Sequence, residues 1–166
     1  MKKTIFIFFF VILFFYSNQL ESSFKKAPSF VLLNNHNKYV YKSKLDGNLL
    51  ISFWASYCLP CLQEIPKLIA LEKKYGKSKK LKLVLINVDV NDQEGRALDK
   101  AKKSLKDKDI QHDFLLDIYH KTLERYTSSK KVPATFLVNQ KGYIIFNETG
   151  VTQKNLSRLE KKIKRL

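Results

Sequence analysis

The stretch "FWASYCLPCLQEIP", residues 53–66, constrains the fold more than any other part of the chain. It opens as the end of an apolar strand, "NLLISFWAS" at residues 48–56, which the Asp46-Gly47 turn signal introduces. It closes as the start of a helix. The only two cysteines, Cys58 and Cys61, stand three positions apart at that junction. A buried strand, a short loop and a helix N-terminus must therefore follow one another, with the cysteine pair between them.

The helix is expected over residues 59–75, with Cys61, Ile65, Leu68 and Ile69 along one face and Gly76 as its stop. Pro60 falls in the first turn, where a missing N–H costs little, and Pro66 lies deeper, where it should kink the helix. Upstream, "FVLLN" (30–34) and "KYVY" (38–41) read as two short strands around a His36-Asn37 turn, and "SSFKKAPS" reads as a polar linker. Downstream, "LKLVLINVDV" (81–90) has the near-continuous apolar character of a strand covered on both faces of a parallel sheet. A helix over 94–108, a strand over 112–117 and a short helix over 119–126 follow. "ATFLVNQKGYIIFNE" is a hairpin turned at Gln140-Lys141-Gly142, and a last helix starts at Thr152, burying Leu156, Leu159 and Ile163. Strand–helix–strand order gives parallel strands and the hairpin adds antiparallel ones. The expected fold is α/β: a mixed central sheet with helices on both faces.

Three roles compete for the cysteines. A structural staple across a loop of about four residues adds only roughly 2 kcal/mol, because chain-entropy stabilisation grows with loop length. Structural zinc needs four ligands, and His36, His112 and His120 have no ligand-like spacing and read as surface or turn residues. The local physics favours a redox pair. Cys58 sits at a helix N-terminus, where free N–H groups and the helix dipole favour a thiolate. Cys61 sits one turn on, against the core, where a thiol ionises less. Cys58 is then the attacking sulfur and Cys61 the resolving one, with Trp54 and Tyr57 walling the approach. A two-thiolate Cu(I) site, as in a non-catalytic copper-handling module, is the alternative; it needs Cys61 to be accessible.

At the N-terminus, Met1-Lys2-Lys3 precedes an unbroken apolar run, "IFIFFFVILFFY" at residues 5–16. The run is shorter than the ~20 residues of a membrane span and fits the ~7–15 of a secretory leader. Residues 1–22 are expected to be a signal peptide or an uncleaved N-terminal membrane anchor, and residues 23–166 one folded domain. Either outcome puts that domain outside the cytoplasm. The formal net charge is +16. The lysines are scattered over the polar sides of expected helices, with no base-stacking aromatic motif. They read as a solvated surface, and nucleic acid is not an expected partner.

The motifs resemble those of the thioredoxin superfamily, and within it the TlpA/ResA/DsbE-like exported thiol–disulfide oxidoreductases. "WASYCLPC" resembles W-A-S-x-C-x-P-C, "CLPCLQEIPKL" its C-x-P-C-x-x-E-x-P continuation, and "LVLINVDV" a strand ending in Asn-x-Asp. "FLLDIYHKTLERYTSSKKVPATFLVNQKGYI" resembles the family's helix, V-P-x-T-F-L strand and Lys-Gly hairpin in the same order. The resemblance implies a thioredoxin fold with an N-terminal β-hairpin and an αβ insertion over residues 91–117. It implies that Val132-Pro133 is a cis-proline segment presenting backbone to the substrate, with Trp54, Tyr57 and Pro60 beside it. It makes Glu64 a carboxylic acid buried behind the cysteines that trades protons with the thiols. Ser52 stands where general thioredoxins carry a buried Asp, which leaves Glu64 as the sole candidate relay, and the Pro and Thr upstream of a peroxiredoxin cysteine are missing. The implied activity is reduction of disulfides in exported proteins such as apocytochrome c. The Cys58–Cys61 disulfide is then the redox centre, with no separate cofactor or metal. A membrane electron donor would supply the electrons, and the chain is expected to be a monomer.

Overall fold

The computed structural model describes residues 25–91, 95–150 and 152–166. The expected leader, residues 1–22, lies outside the described residues. No helix among the described residues is long and apolar enough to cross a membrane.

Seven strands form one sheet: β1 (Val31–Asn34), β2 (Tyr39–Tyr41), β3 (Asn48–Trp54), β4 (Leu81–Asn87), β5 (Phe114–Leu116), β6 (Ala134–Val138) and β7 (Ile144–Thr149). Their order in space is β2-β1-β5-β4-β3-β6-β7. β3, β4 and β5 run parallel; β1 with β2, β1 with β5, β3 with β6 and β6 with β7 run antiparallel. The described helices are α1 (Leu59–Lys79), α2 (Ala97–Lys106), α3 (Lys121–Tyr126) and α4 (Gln153–Lys164). This is the expected mixed sheet, with β1–β2 as the N-terminal hairpin and α2–β5 as the insertion.

Every residue of β3 is buried, which explains its unbroken apolar sequence. Side chains alternate between faces along a strand. Ser52 therefore faces α1, and Thr135, its partner across the β3–β6 ladder, faces the same way. Phe53 faces the other side. There its ring packs against Tyr126 of α3 and Phe136 of β6, with ring centroids 5.3 and 5.9 Å away. α4 lies beside α1, where Glu160 accepts from Lys74 Nζ at 2.8 Å and from the Tyr75 hydroxyl at 2.7 Å.

Four expectations change. The first helix does not stop at Gly76. It runs to Lys79, and Lys80 takes the left-handed cap at φ 46°. Tyr75, buried against α4, holds that extra turn in the core. Pro66 lies inside α1. β4 ends at Asn87 rather than at Val90, because Asp89 N–H turns back onto Asn87 Oδ1 at 3.0 Å and its carboxylate binds another loop. The "SSFKKAPS" segment is not a free linker over its described part. Ala27 N–H donates to Gly142 O, Lys25 O accepts from Ile144 N–H, and Ala27 is buried. Finally, His112 and His120 are half-buried and bonded, His112 Nε2 lying 3.1 Å from Glu72 Oε2 and His120 Nε2 2.6 Å from Val88 O.

Gly47 makes the turn into β3. Its φ is +90°, and a Cβ there would lie 2.3 Å from Lys80 O. The same carbonyl accepts from Asn48 N–H at 2.8 Å, so it cannot move away freely. Gly47→Ala should lower stability by at least the roughly 1–3 kcal/mol of a strained backbone residue, with the clash added. Urea unfolding of the variant tests this; an unchanged midpoint contradicts it.

Candidate active site

The loop after β3 delivers Cys58 to the start of α1, where it is the N-cap residue. Cys58 and Cys61 form a disulfide. Cys58 Sγ also accepts from Cys61 N–H at 3.2 Å, which places that sulfur on the free N–H groups of the first helical turn. Both residues are largely covered, Cys58 at 8% exposure and Cys61 at 1%. The asymmetry runs in the expected direction, with Cys58 the less covered of the two.

Glu64 lies one turn beyond Cys61 on the same side of α1. It is 2% exposed, buried as the resemblance implies. Its Oε1 accepts from Thr135 Oγ1 at 2.5 Å, and Thr135 Oγ1 also lies 3.4 Å from Ser52 Oγ. A hydroxyl has one proton to give. Thr135 spends it on Glu64, and Ser52 can donate in turn to Thr135. Glu64 Oε2 has no hydrogen-bond partner among the described residues. Burial pushes the Glu64 carboxyl up to about 7, against the opposing pull of the Thr135 hydroxyl and of Lys67. A group poised near neutrality can both give and take a proton at working pH.

The Val132–Pro133 peptide is cis. Ala134 pairs with Phe53 across the ladder, so Pro133 stands level with Trp54 at the end of β3 that leads to Cys58. Tyr57 is 77% exposed beside the pair, and Pro60 is exposed in the first turn of α1. Trp54 differs from expectation. It is fully buried and packs edge-on against Phe114 at 5.7 Å, so it supports the site from inside and offers no surface to a partner. Among the described residues, no group of three or more His, Cys, Asp or Glu side chains could hold a metal ion.

A profile of the AhpC/TSA family matches residues 24–147. The chain belongs to the AhpC/TSA family. Among its relatives, the thiol-disulfide oxidoreductase ResA of Bacillus subtilis (strain 168) is 29% identical over 131 residues, spanning 78% of this chain and 69% of ResA. A Chlorobium tepidum structure provisionally assigned as the thiol:disulfide interchange protein DsbE superposes with a TM-score of 0.73 at 27% identity, covering 86% of this chain and 95% of that one. A Bacteroides thetaiotaomicron protein, provisionally assigned as a protein disulfide isomerase, superposes at 0.74 with 20% identity, over 85% of this chain and 87% of its own. That identity speaks for the fold alone. The fold is thioredoxin-like. With the CxxC pair in place, this AhpC/TSA-family chain is a thiol–disulfide oxidoreductase similar to ResA and DsbE.

Two supporting groups in this family member escaped sequence reasoning. In the sequence Thr135 is only one position of the V-P-x-T-F-L strand, and its bond to Glu64 crosses 71 positions. In the sequence Asp89 is only the end of Asn-x-Asp. Its carboxylate, on a residue 3% exposed, takes Ser56 N–H at 3.0 and 3.2 Å and Asn87 Nδ2 at 3.1 Å. It thereby fixes the loop that presents Cys58. Asp89→Ala leaves Ser56 N–H without that acceptor, and an unsatisfied buried group costs about 1–3 kcal/mol. The expected result is a loss of that size in thermal or denaturant unfolding, together with slower exchange. A variant as stable and as fast as the parent contradicts this placement.

Proposed function

We propose that the chain works outside the cytoplasm as a reductant of disulfides in exported proteins, with apocytochrome c as the favoured type of substrate. The observation that carries the reading is the Cys58–Cys61 pair at the N-terminus of α1, with the less covered sulfur capping the helix. In the reduced chain the Cys58 thiolate attacks one sulfur of the partner disulfide. A Cys58–partner bond forms and the partner's other sulfur leaves as a thiolate. Cys61 then gives up its proton and attacks Cys58 Sγ. The intramolecular disulfide closes and the second partner thiolate departs, so two electrons have passed to the partner. In this reading Glu64 takes the Cys61 proton, and Val132-Pro133 docks the partner backbone beside Tyr57 and Pro60.

The apolar run at residues 5–16 behind two lysines supports export, by a cleaved leader or as a retained tether. The reducing direction and the cytochrome c task rest on the resemblance to the ResA/DsbE-like group, and a membrane donor would return the electrons. Equilibration with redox buffers tests the direction. The reading predicts a reduction potential below roughly −230 mV, on the thioredoxin side of glutaredoxins; a value near about −120 mV would make the chain an oxidant and overturn it.

A further inference from the structure

We propose that the pole of the molecule opposite Cys58 is a lipid-facing surface that seats on a bilayer of anionic phospholipid. The inference goes beyond the redox reading and stands on where the fold puts its charge.

The lysines are spread along the sequence, and the topology gathers them. α1 starts beside Cys58, and its 21 residues rise about 32 Å before it ends at Lys79. β7 ends beside Pro133, where Gly150 N–H donates to Pro133 O at 2.9 Å, so α4 starts at the redox end and runs back. The Tyr75 hydroxyl donates to Glu160 at 2.7 Å, and each of these residues stands four positions before the end of its helix. The two helices therefore finish together. α1 brings Lys77, Lys79 and the cap residue Lys80; α4 brings Lys161, Lys162, Lys164 and the cap residue Arg165. The β6–β7 turn lies at the same end, since Gln140 N–H donates to Oδ1 of Asn48, the first residue of β3. Lys26 bridges to Tyr143 beside that turn. Lys42 is close by: burial, and then the charge of Lys26, holds its ammonium below the usual pKa.

Helix dipoles do not account for this charge. A helix C-terminus carries about half a negative charge, so two of them call for about one cation. Seven basic residues stand at the ends of α1 and α4. The nearby acids are engaged: Glu160 accepts from Lys74 and Tyr75, and Glu72 accepts from Leu83 N–H and meets His112. Between the end of α1 and the start of β4 lies a cleft of about 550 Å³, lined by Lys73, Lys77, Lys80 and Lys82 together with Asp46 and Glu72. All four lysines are exposed. The cleft has room for a phosphate headgroup, which a lysine binds as a point charge.

Continuity of the chain identifies the occupant. The described residues begin at Lys25, whose carbonyl accepts from Ile144 N–H at this pole. The apolar run at residues 5–16 precedes it by a stretch that spans at most about 32 Å when extended. A bilayer that holds the run is thus within reach of the basic pole, and one apolar segment with a polybasic patch makes a stable anchor where either alone is weak. An acidic protein or a nucleic acid has no such link to the chain. Seated in this way, the domain holds Cys58 about 30 Å out from the lipid, facing the aqueous side.

The test sediments full-length protein with vesicles of phosphatidylcholine, and with vesicles of phosphatidylcholine and phosphatidylglycerol in equal parts, at about 0.1 M salt. The apolar run contributes to both, so the difference reads the charge. Binding to the anionic vesicles should be about a hundredfold tighter, the effect of three lysines at a charged surface. In Lys77→Gln/Lys80→Gln/Lys161→Gln/Lys164→Gln that advantage should fall below about fivefold. Lys121→Gln/Lys130→Gln/Lys131→Gln/Lys154→Gln removes the same charge from exposed positions towards the redox end and should keep most of it. If the first variant unfolds, Lys161→Gln/Lys164→Gln alone decides, with an expected loss of about tenfold. Equal binding of the parent to both vesicles, equal loss in the two fourfold variants, or an advantage that survives about 1 M salt, where charges act over only about 3 Å, overturns the proposal. Tighter binding of the parent to a DNA duplex than to the anionic vesicles would give the pole to nucleic acid and also overturns it. Hydroxyethyl disulfide separates the two levels: if it is reduced while both vesicles bind alike, only this inference fails, and a chain that prefers the anionic vesicles but does not reduce it keeps this inference and loses the redox reading.

Discussion

Cys61→Ser is expected to accumulate mixed disulfides between Cys58 and partner proteins, because the sulfur that would release them is gone. Cys58→Ser should accumulate at least about tenfold fewer, since each pKa unit by which a buried thiol lies above ambient pH removes about tenfold of its thiolate. The geometry behind the contrast is the capping bond from Cys61 N–H to Cys58 Sγ and the deeper burial of Cys61. Neither variant can complete a two-electron exchange, because a lone thiol cannot close the intramolecular disulfide. Non-reducing gels of both variants, made in an exporting host, read the result. Equal trapping would reverse the assignment of attacker and resolver. Trapping by neither, with equal loss of bound copper from both, would favour the copper-handling alternative.

The second large effect concerns Glu64, and it has two readouts. The carboxyl is raised from 4.5 to about 7 in the folded chain, chiefly by burial. In the unfolded chain it ionises near its ordinary value, so between those two pH values the folded state binds the extra proton. Stability from this group is fully present below about pH 4.5 and is lost as pH rises through about 7, a change on the order of 3 kcal/mol. Glu64→Gln cannot ionise and should remove that slope. Its unfolding free energy should change less than the parent's between pH 4.5 and 8.5, and it should equal or exceed the parent's at the upper end. Catalysis should move the other way. Exchange should slow by roughly 10²-fold, the lower range for a lost general acid–base, and the limb near pH 7 should vanish from the rate profile. A parallel pH dependence of stability in both proteins, or an unchanged rate profile, would return Glu64 to a passive place in the core.

The local parts of the site were legible because their signals are local. The apolar run of β3, the cysteine spacing, the proline in the first helical turn and a glutamate one turn beyond Cys61 all sit within residues 48–66. The N-cap at Thr152 was also a local signal, and its hydroxyl accepts from Asn155 N–H at 3.2 Å. What was not legible depends on side chains that meet across the fold. Asp89 reaches the Ser56 loop over 33 positions, and Thr135 reaches Glu64 over 71. The end of α1 belongs to the same class. Gly76 is a helix stop by propensity, but Tyr75 reaches Glu160 of α4 and draws the helix on by another turn. Trp54 was misplaced for a related reason. Sequence puts it next to the cysteines, and strand alternation with a ring contact to Phe114 puts it underneath them.

The central claim is that the pair is chemically asymmetric, with Cys58 held ready as a thiolate by the helix N-terminus and Cys61 kept protonated in the core. Site-resolved alkylation of the reduced chain measures this directly, with peptides quantified by mass spectrometry across pH. The account predicts that Cys58 reacts first, with a midpoint below the ~8.5 of a free thiol, while Cys61 stays largely unmodified at neutral pH. A Cys58 midpoint at or above about 8.5, or a Cys61 that reacts as fast as Cys58, would contradict it.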